Sequence, residues 1–358
     1  MPSCSRSSSP PPPASKSSGD AHKRLYWSTM SFHTVKRSRA VALLAGIALA
    51  GLALAAPGQQ PPPGEVFRVE VDVVSLYCTV KDKQGGLVTD LEPGDFEIRE
   101  DGKLQELKYF ARETDRPLTL ALLVDTSISQ EALLPTEKEA ATQFLRQVLR
   151  PSDLALLITF DIDVDLLQDF TPEVERLQKG LDRARINSPA DTGLNPGPFP
   201  RNRILGTRLY DAIYLASREK LAPEVGRKAI ILVSDGLDAG SSVDDKRAME
   251  AVHRSDSMIY AIGIADPVYY HVRGYVYTGS DVMKKLAGET GGRAIFPSNV
   301  DELQKAFDEI AAELRSQYSL GYTPTNRAHD GKFRKIEIKV KRPGLRVQAR
   351  RGYYAPSS

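Results

Sequence analysis

The sequence predicts an α/β protein: a doubly wound, mainly parallel sheet with helices on both faces, flanked by a β-sandwich-like domain formed from N- and C-terminal segments. Three observations predict it. Continuous apolar runs at Leu118–Val124, Leu154–Phe160 and Ala229–Val233 are the pattern of strands buried on both faces. Stretches with helical spacing alternate with those runs, which implies a parallel sheet covered on each side. The flanks, Glu65–Glu113 and the tail beyond residue 316, show period-two patterning instead.

The first 56 residues read as a targeting segment. Lys36, Arg37 and Arg39 precede an apolar run, Ala40–Ala56, that ends in the small residues a signal peptidase accepts. The run is short for a span of about 20 residues, so cleavage near Ala56 or Pro57 and export to the periplasm or outside the cell are expected, with no membrane span in the mature chain. Met30 offers an alternative start that would make the leader conventional. Residues 57–64 are a Pro/Gln/Gly linker.

Residues 65–116 are expected to be β-rich. Val69, Val71 and Val73 alternate with polar residues, and Asp95–Glu100 runs into Asp101-Gly102, a hairpin turn pair. Residues 117–316 carry the α/β pattern. After Leu118–Val124 comes a helix over Glu137–Leu149, with Ala140, Ala141, Phe144, Leu145 and Val148 on one face. Helices are further expected at Glu173–Arg185, Thr207–Lys220, Asp244–Arg254, Asp281–Thr290 and Val300–Arg315, and strands at Met258–Ile264 and Arg293–Phe296. Residues 317–358 return to strands, with Ile336, Ile338 and Val340 alternating. Neither flank is large enough to bury a good core alone, so the two are expected to pack together around the inserted α/β layer.

Composition narrows the function. The net charge of +2 hides an asymmetry: residues 1–56 hold seven Lys/Arg and one acid, leaving 41 basic against 45 acidic residues beyond them. A mildly acidic body argues against nucleic acid. The two cysteines, Cys4 and Cys78, form no metal-binding pattern, and Cys78 sits in an apolar alternation as a small hydrophobe. Beyond the leader the histidines are His253, His271 and His329. None stands in a nucleophile motif, and HExxH and Walker A loops are absent, so no enzymatic activity is expected.

A divalent-metal constellation stands out. Asp125-Thr126-Ser127-Ile128-Ser129 directly follows the first buried strand, at the sheet edge where ligands bind in such folds. Thr207 begins a helix, and Asp235 follows the strand Ala229–Val233. Singly, each is also an ordinary helix cap or turn. Together they place two carboxylates and three hydroxyls at one edge, a hard oxygen set suited to Mg²⁺, or to Mn²⁺ or Ca²⁺. With only two carboxylates on a doubly charged ion, an open coordination position would attract an acidic group.

Asp125, Ser127, Ser129, Thr207 and Asp235 resemble the metal-ion-dependent adhesion site of von Willebrand factor type A domains, and the resemblance spans roughly Pro117–Ser316. It implies a Rossmann-like fold and direct or water-mediated metal binding by these five residues. The flanking Leu91–Phe96, Glu100–Gly102 and Arg351–Tyr354 are similar to a narrower family, the secreted bacterial proteins related to that domain described in acidobacteria. Arg185–Leu205, rich in Pro, Gly and Asn, departs from the pattern just ahead of Thr207.

The function expected is therefore a metal-dependent, adhesion-type protein-binding module whose ion takes a partner's carboxylate. The alternatives are an envelope protein with a purely stabilising metal site and, behind it, a metal-dependent hydrolase. Asp266–Ser280 is expected as a loop bordering the ion, with Tyr269, Tyr270, Arg273, Tyr275 and Tyr277 as partner contacts, since Tyr and Arg anchor many interfaces. A hairpin packing its tyrosines on its own domain is the other reading of that segment.

Overall fold

The computed structural model describes residues 73–113, 116–186, 206–273 and 277–357. The leader, the linker, Val69, Val71 and most of the 185–205 insertion lie outside the described residues. Strands come first: β1 (Val74–Lys81), β2 (Phe96–Glu100), β3 (Lys103–Gln105) and β4 (Tyr109–Glu113). Val74, Leu76, Cys78 and Val80 of β1 are buried, whereas Val73 is 40% exposed. The inward phase thus falls on even positions and not on the odd alternation ending at Val73, because two adjoining valines shift the period. Glu100 pairs with Lys103 across a two-residue turn, and Asp101 and Gly102 both take positive φ, 47° and 82°. That is the backbone an Asp-Gly hairpin turn favours.

The α/β layer follows. In order it holds β5 (Leu118–Asp125), α1 (Leu134–Val148), β6 (Leu154–Phe160), β7 (Val164–Thr171), α2 (Val174–Arg183) and α3 (Leu209–Tyr214), which continues as a π-helical stretch, Leu215–Leu221. Then come β8 (Arg227–Ser234), α4 (Asp245–Arg254), β9 (Ser257–Gly263), α5 (Pro267–Arg273), α6 (Gly279–Thr290), β10 (Ala294–Ile295) and α7 (Val300–Leu314). The six strands lie in the order β10-β9-β8-β5-β6-β7, parallel throughout except for β7, which runs antiparallel to β6.

Alternate residues of β5 serve opposite faces, which is why its apolar run is unbroken. Leu120, Leu122 and Val124 join a buried cluster with Phe144 of α1 and Phe307 of α7. Ala121 and Leu123 join another with Leu209, Ala248 and Met283 from α3, α4 and α6. Each leucine so buried contributes about 2 kcal/mol, so a polar residue on either face of β5 would be costly.

The tail adds β11 (Gln317–Tyr322), β12 (Phe333–Val340), β13 (Arg346–Ala349) and β14 (Gly352–Tyr354). Two antiparallel sheets result, β13-β1-β11-β4 and β14-β12-β2-β3. Strands from before and after the α/β layer alternate within them: Cys78 of β1 lies opposite Tyr318 of β11, and Ile98 of β2 opposite Ile338 of β12. Leu76, Cys78, Ile98, Leu320 and Ile336 form their common core, with the Phe96 and Tyr318 rings 5.3 Å apart. The buried Glu100 carboxylate accepts from Tyr322 at 2.7 Å and from Tyr353 at 3.0 Å. Among the described residues no helix is long and apolar enough to cross a membrane.

Helix α6 ends where the α/β layer meets the tail. Gly291 caps it at φ 89°, and a Cβ there would collide with the backbone nitrogen of Arg350. Gly291→Ala combines a left-handed penalty with overpacking against backbone, so a loss of about 3 kcal/mol is expected in urea unfolding. An unchanged midpoint would show that this junction yields freely.

Candidate metal centre

The sheet reverses its winding between β5 and β8, which lie side by side with Val124 opposite Val233. In open α/β sheets the crevice at the C-terminal ends of such strands is where ligands bind. Asp125 is the last residue of β5, Ser234 is the last of β8, and Asp235 follows it directly. Both aspartates are buried, as are Ser127, Ser129 and Thr207.

The loop after β5 is shaped by Asp125 itself. One of its oxygens accepts from the Ser127 backbone N–H at 2.9 Å, the other from the Ser234 hydroxyl at 2.6 Å. Ser234 thereby joins the two strand ends, and its oxygen also accepts from the Gly236 N–H at 2.9 Å. The Ser127 and Ser129 hydroxyl oxygens stand 3.1 Å apart, and Ser129 donates to Asp235 Oδ2 at 2.6 Å. Asp235 Oδ1 accepts from the Leu237 N–H at 3.0 Å. Ser127, Ser129 and Asp235 are therefore in direct contact, and Asp125 is tied to them through one backbone and one hydroxyl hydrogen bond.

Thr207 stands on a third loop, whose next residue is tied to the first loop by Asp161, a residue with no part in the expected ligand set. Asp161, just beyond β6, accepts from the Thr126 hydroxyl at 2.8 Å and, through its carbonyl, from the Arg208 N–H at 2.8 Å. The Thr207 carbonyl in turn accepts from the Ala239 N–H at 2.9 Å. Three loops distant in sequence are thus joined around the crevice by hydrogen bonds of 2.8 to 2.9 Å.

The electrostatics favour a cation. Burial, and then the charge of Asp235, push the Asp125 carboxyl up to about 7. Glu137 on α1 is buried as well, and neither of its carboxylate oxygens has a hydrogen-bond partner. Burial, Asp125 and Asp235, in that order, hold it well above the usual carboxylate range. Glu137 was legible in principle. It stands four, seven and eight residues before Ala141, Phe144 and Leu145, so the helical period that marks the apolar face also places this acid on it.

Fit to a metal can be judged from these contacts. Among the described residues no group of three or more His, Cys, Asp or Glu side chains could hold a metal ion, so the hydroxyls must supply donors. An octahedron with bonds of about 2.1 Å has edges of about 3.0 Å. The 3.1 Å between the Ser127 and Ser129 oxygens is close to that edge, and the 2.6 Å between Ser129 and Asp235 is a hydrogen bond shorter than it. Hard oxygen donors gathered in one crevice and buried carboxylates that repel one another fit Mg²⁺ or a similar divalent ion.

The expected partner loop proves helical in part. Pro267–Arg273 forms α5, and α6 begins at Gly279. A proline at the first helical position is pre-set for a helix, a signal outweighed in the sequence by the absence of apolar period. Tyr270 is 5% exposed, and its hydroxyl donates to Asp235 Oδ2. Tyr277 donates to the Asp235 carbonyl at 2.8 Å. Tyr269 packs edge-on against Tyr270, centroids 5.3 Å apart. Tyr275 and the side chain of Arg273 lie outside the described residues. Burial and the Asp235 charge push the Tyr277 hydroxyl up to about 12 and raise that of Tyr270 as well. Gly279 was also missed: a Cβ there would collide with the Asp235 carbonyl oxygen, so this return of the chain requires glycine.

No family model matches the chain, and no curated protein does. Solved structures similar to it include a conserved hypothetical protein BatB from Bacteroides thetaiotaomicron, at 20% identity and a TM-score of 0.40, covering 56% of this chain and 100% of that one. The von Willebrand factor domain of the type V pili tip protein Mfa5 from Porphyromonas gingivalis is similar at 14% identity and a TM-score of 0.42, covering 55% and 95%. A von Willebrand factor type A protein from Catenulispora acidiphila is similar at 10% and 0.42, covering 80% and 74%. At such values they say nothing of ligand or partner, and the fold rests on this chain's own strand order and register.

Proposed function

We propose that the chain is an exported, metal-dependent protein-binding module of the von Willebrand factor A type, and not an enzyme. Asp125, Ser127, Ser129, Thr207 and Asp235 hold one Mg²⁺, with Mn²⁺ or Ca²⁺ as substitutes, and a carboxylate of a partner protein completes its shell. The observation that carries this reading is the direct contact of Ser127, Ser129 and Asp235 oxygens, beside a buried Asp125, at the switch point of the sheet. Tyr269, Arg273, Tyr275 and Tyr277 contribute the surrounding partner surface, while Tyr270, expected among them, is buried against Asp235 and meets the site from within. The flanking motifs Leu91–Phe96 and Arg351–Tyr354 fit the narrower secreted bacterial family, and Lys36–Ala56 fits export to the periplasm or beyond.

A second reading, a metal that only stabilises the loops, draws on the burial of Tyr270 over Asp235. Capture from envelope extract separates the two. A partner retained in Mg²⁺, released by chelator and not captured by Ser127→Ala supports the binding module. Ser127→Ala should also weaken Mg²⁺ in calorimetry by about tenfold or more. Capture that is indifferent to chelator sinks the binding role of the ion.

A further inference from the structure

The oxygen that would face the ion from Asp235 is already in contact with a second donor besides Ser129. Tyr270 donates its hydroxyl to the same Oδ2 that accepts from Ser129 at 2.6 Å. Tyr270 Oη and Ser129 Oγ therefore both stand on the one Asp235 oxygen that would meet the ion. Tyr270 is itself buried there, at 5% exposure.

We infer that the Tyr270 hydroxyl is an internal stopper, filling the coordination position that a partner's carboxylate must take. The inference rests on the metal reading proposed above and adds to it a closed state. What holds the stopper is visible. Tyr270 is flanked by Tyr269 and Tyr277, each ring 5.3 Å from its own. Tyr277 is in turn pinned by its hydrogen bond to the Asp235 carbonyl at 2.8 Å. What lets it go is visible as well. The helix that carries it, α5, has seven residues, too few to be stable by its own hydrogen bonds. A neutral phenol is also a weaker ligand for a divalent cation than a carboxylate. An acidic partner group can displace it, and the closed fraction lowers the apparent affinity for that group.

Mn²⁺ serves as the probe, because water-proton relaxation counts the exchangeable waters on the bound ion. Tyr270→Phe keeps the ring between its neighbours and removes only the hydroxyl. The variant should show the relaxivity of one additional inner-sphere water and bind acetate, on the Mn²⁺-loaded protein, about tenfold more tightly. Tyr277→Phe, which removes only the pin to the Asp235 carbonyl and leaves the Tyr270 hydroxyl in place, should raise both measurements by clearly less than Tyr270→Phe. Equal relaxivity in wild type and Tyr270→Phe overturns the stopper alone, leaving the metal site intact. An equal rise in Tyr277→Phe also overturns it, since the effect would then be a general loosening of the segment. If the wild type takes up no Mn²⁺, the metal reading falls and the stopper falls with it.

Discussion

Asp125→Asn should lose Mg²⁺ affinity by about 100-fold and yet, in chelator above pH 7, unfold at a higher temperature than the wild type. The two effects have one cause. Asp125 is fully buried, and its charge is opposed by burial and by Asp235. A carboxyl pushed from its ordinary 3.8 to about 7 destabilises the folded state, once ionised, by on the order of 4 kcal/mol. Asparagine removes that charge and keeps the shape. Asparagine has one acceptor oxygen where Asp125 uses two, for Ser127 and Ser234, and the lost bond returns about 1 kcal/mol. A net gain of about 3 kcal/mol for the metal-free variant follows. Saturating Mg²⁺ removes most of that gain, because a ligand at a hundred times its dissociation constant stabilises the wild type by about 2.7 kcal/mol and the 100-fold weaker variant by only about 0.4 kcal/mol. The melting temperatures of the two proteins, well separated in chelator, therefore converge in Mg²⁺, and calorimetry reads the affinity. A variant less stable than the wild type under both conditions would mean that Asp125 is a structural hydrogen-bond acceptor and no metal residue.

The α/β layer was legible because a parallel strand buried on both faces writes its burial into consecutive residues. Leu118–Val124 and Ala229–Val233 carry that signature, and they extend in the structure by one residue and by three, to Leu118–Asp125 and Arg227–Ser234. Strand β7 escaped the sequence reading. It is an antiparallel edge, its pairing with β6 slips register twice, and most of its side chains are half-buried or exposed. Such a strand has neither an unbroken apolar run nor a clean alternation. In β1 the period was legible but its phase was not, since Val73 and Val74 adjoin and only tertiary packing chooses between them.

At the candidate site the division falls between local and distant contacts. Asp125-x-Ser-x-Ser is one loop, so its donors are adjacent in sequence and the spacing alone proposes a ligand set. The contacts of Tyr270 and Gly279 with Asp235 join residues 35 and 44 positions apart, and depend on where the chain returns after β9. No periodicity encodes that return. Glu137 differs from both: the helical period that exposed the apolar face of α1 placed it there, and only its acidic character kept it off a list of hydrophobic positions.

The chelated protein should lose stability as pH rises from 6 to 8, against the usual behaviour of carboxylates. The folded state raises the Asp125 carboxyl to about 7 and raises Glu137 too. Above the ordinary carboxylate range the unfolded chain has released both protons while the folded chain keeps them. The stability they confer is whole below about pH 4 and is lost as pH climbs through the folded values, at up to about 1.4 kcal/mol per pH unit for each proton. His253 acts oppositely at lower pH. Burial, and then Arg350, depress it to about 4, so its contribution grows from pH 4 to 6.5 and is flat above. Cys78, raised to about 12 by burial, enters only beyond the ordinary thiol range. The interval from 6.5 to 8 therefore isolates the carboxylates. Asp125 alone should bring a fall of about 1 kcal/mol there in chelator; Glu137 adds to it, so Glu137→Gln should make it shallower. Mg²⁺ must expel the same protons to bind, so in excess Mg²⁺ the trend should flatten or reverse. Urea midpoints at four pH values, with chelator and with Mg²⁺, give both curves. A chelated protein whose stability is level or rising from pH 6.5 to 8 would show that the buried carboxylates are compensated within the chain, leaving no electrostatic demand for a cation.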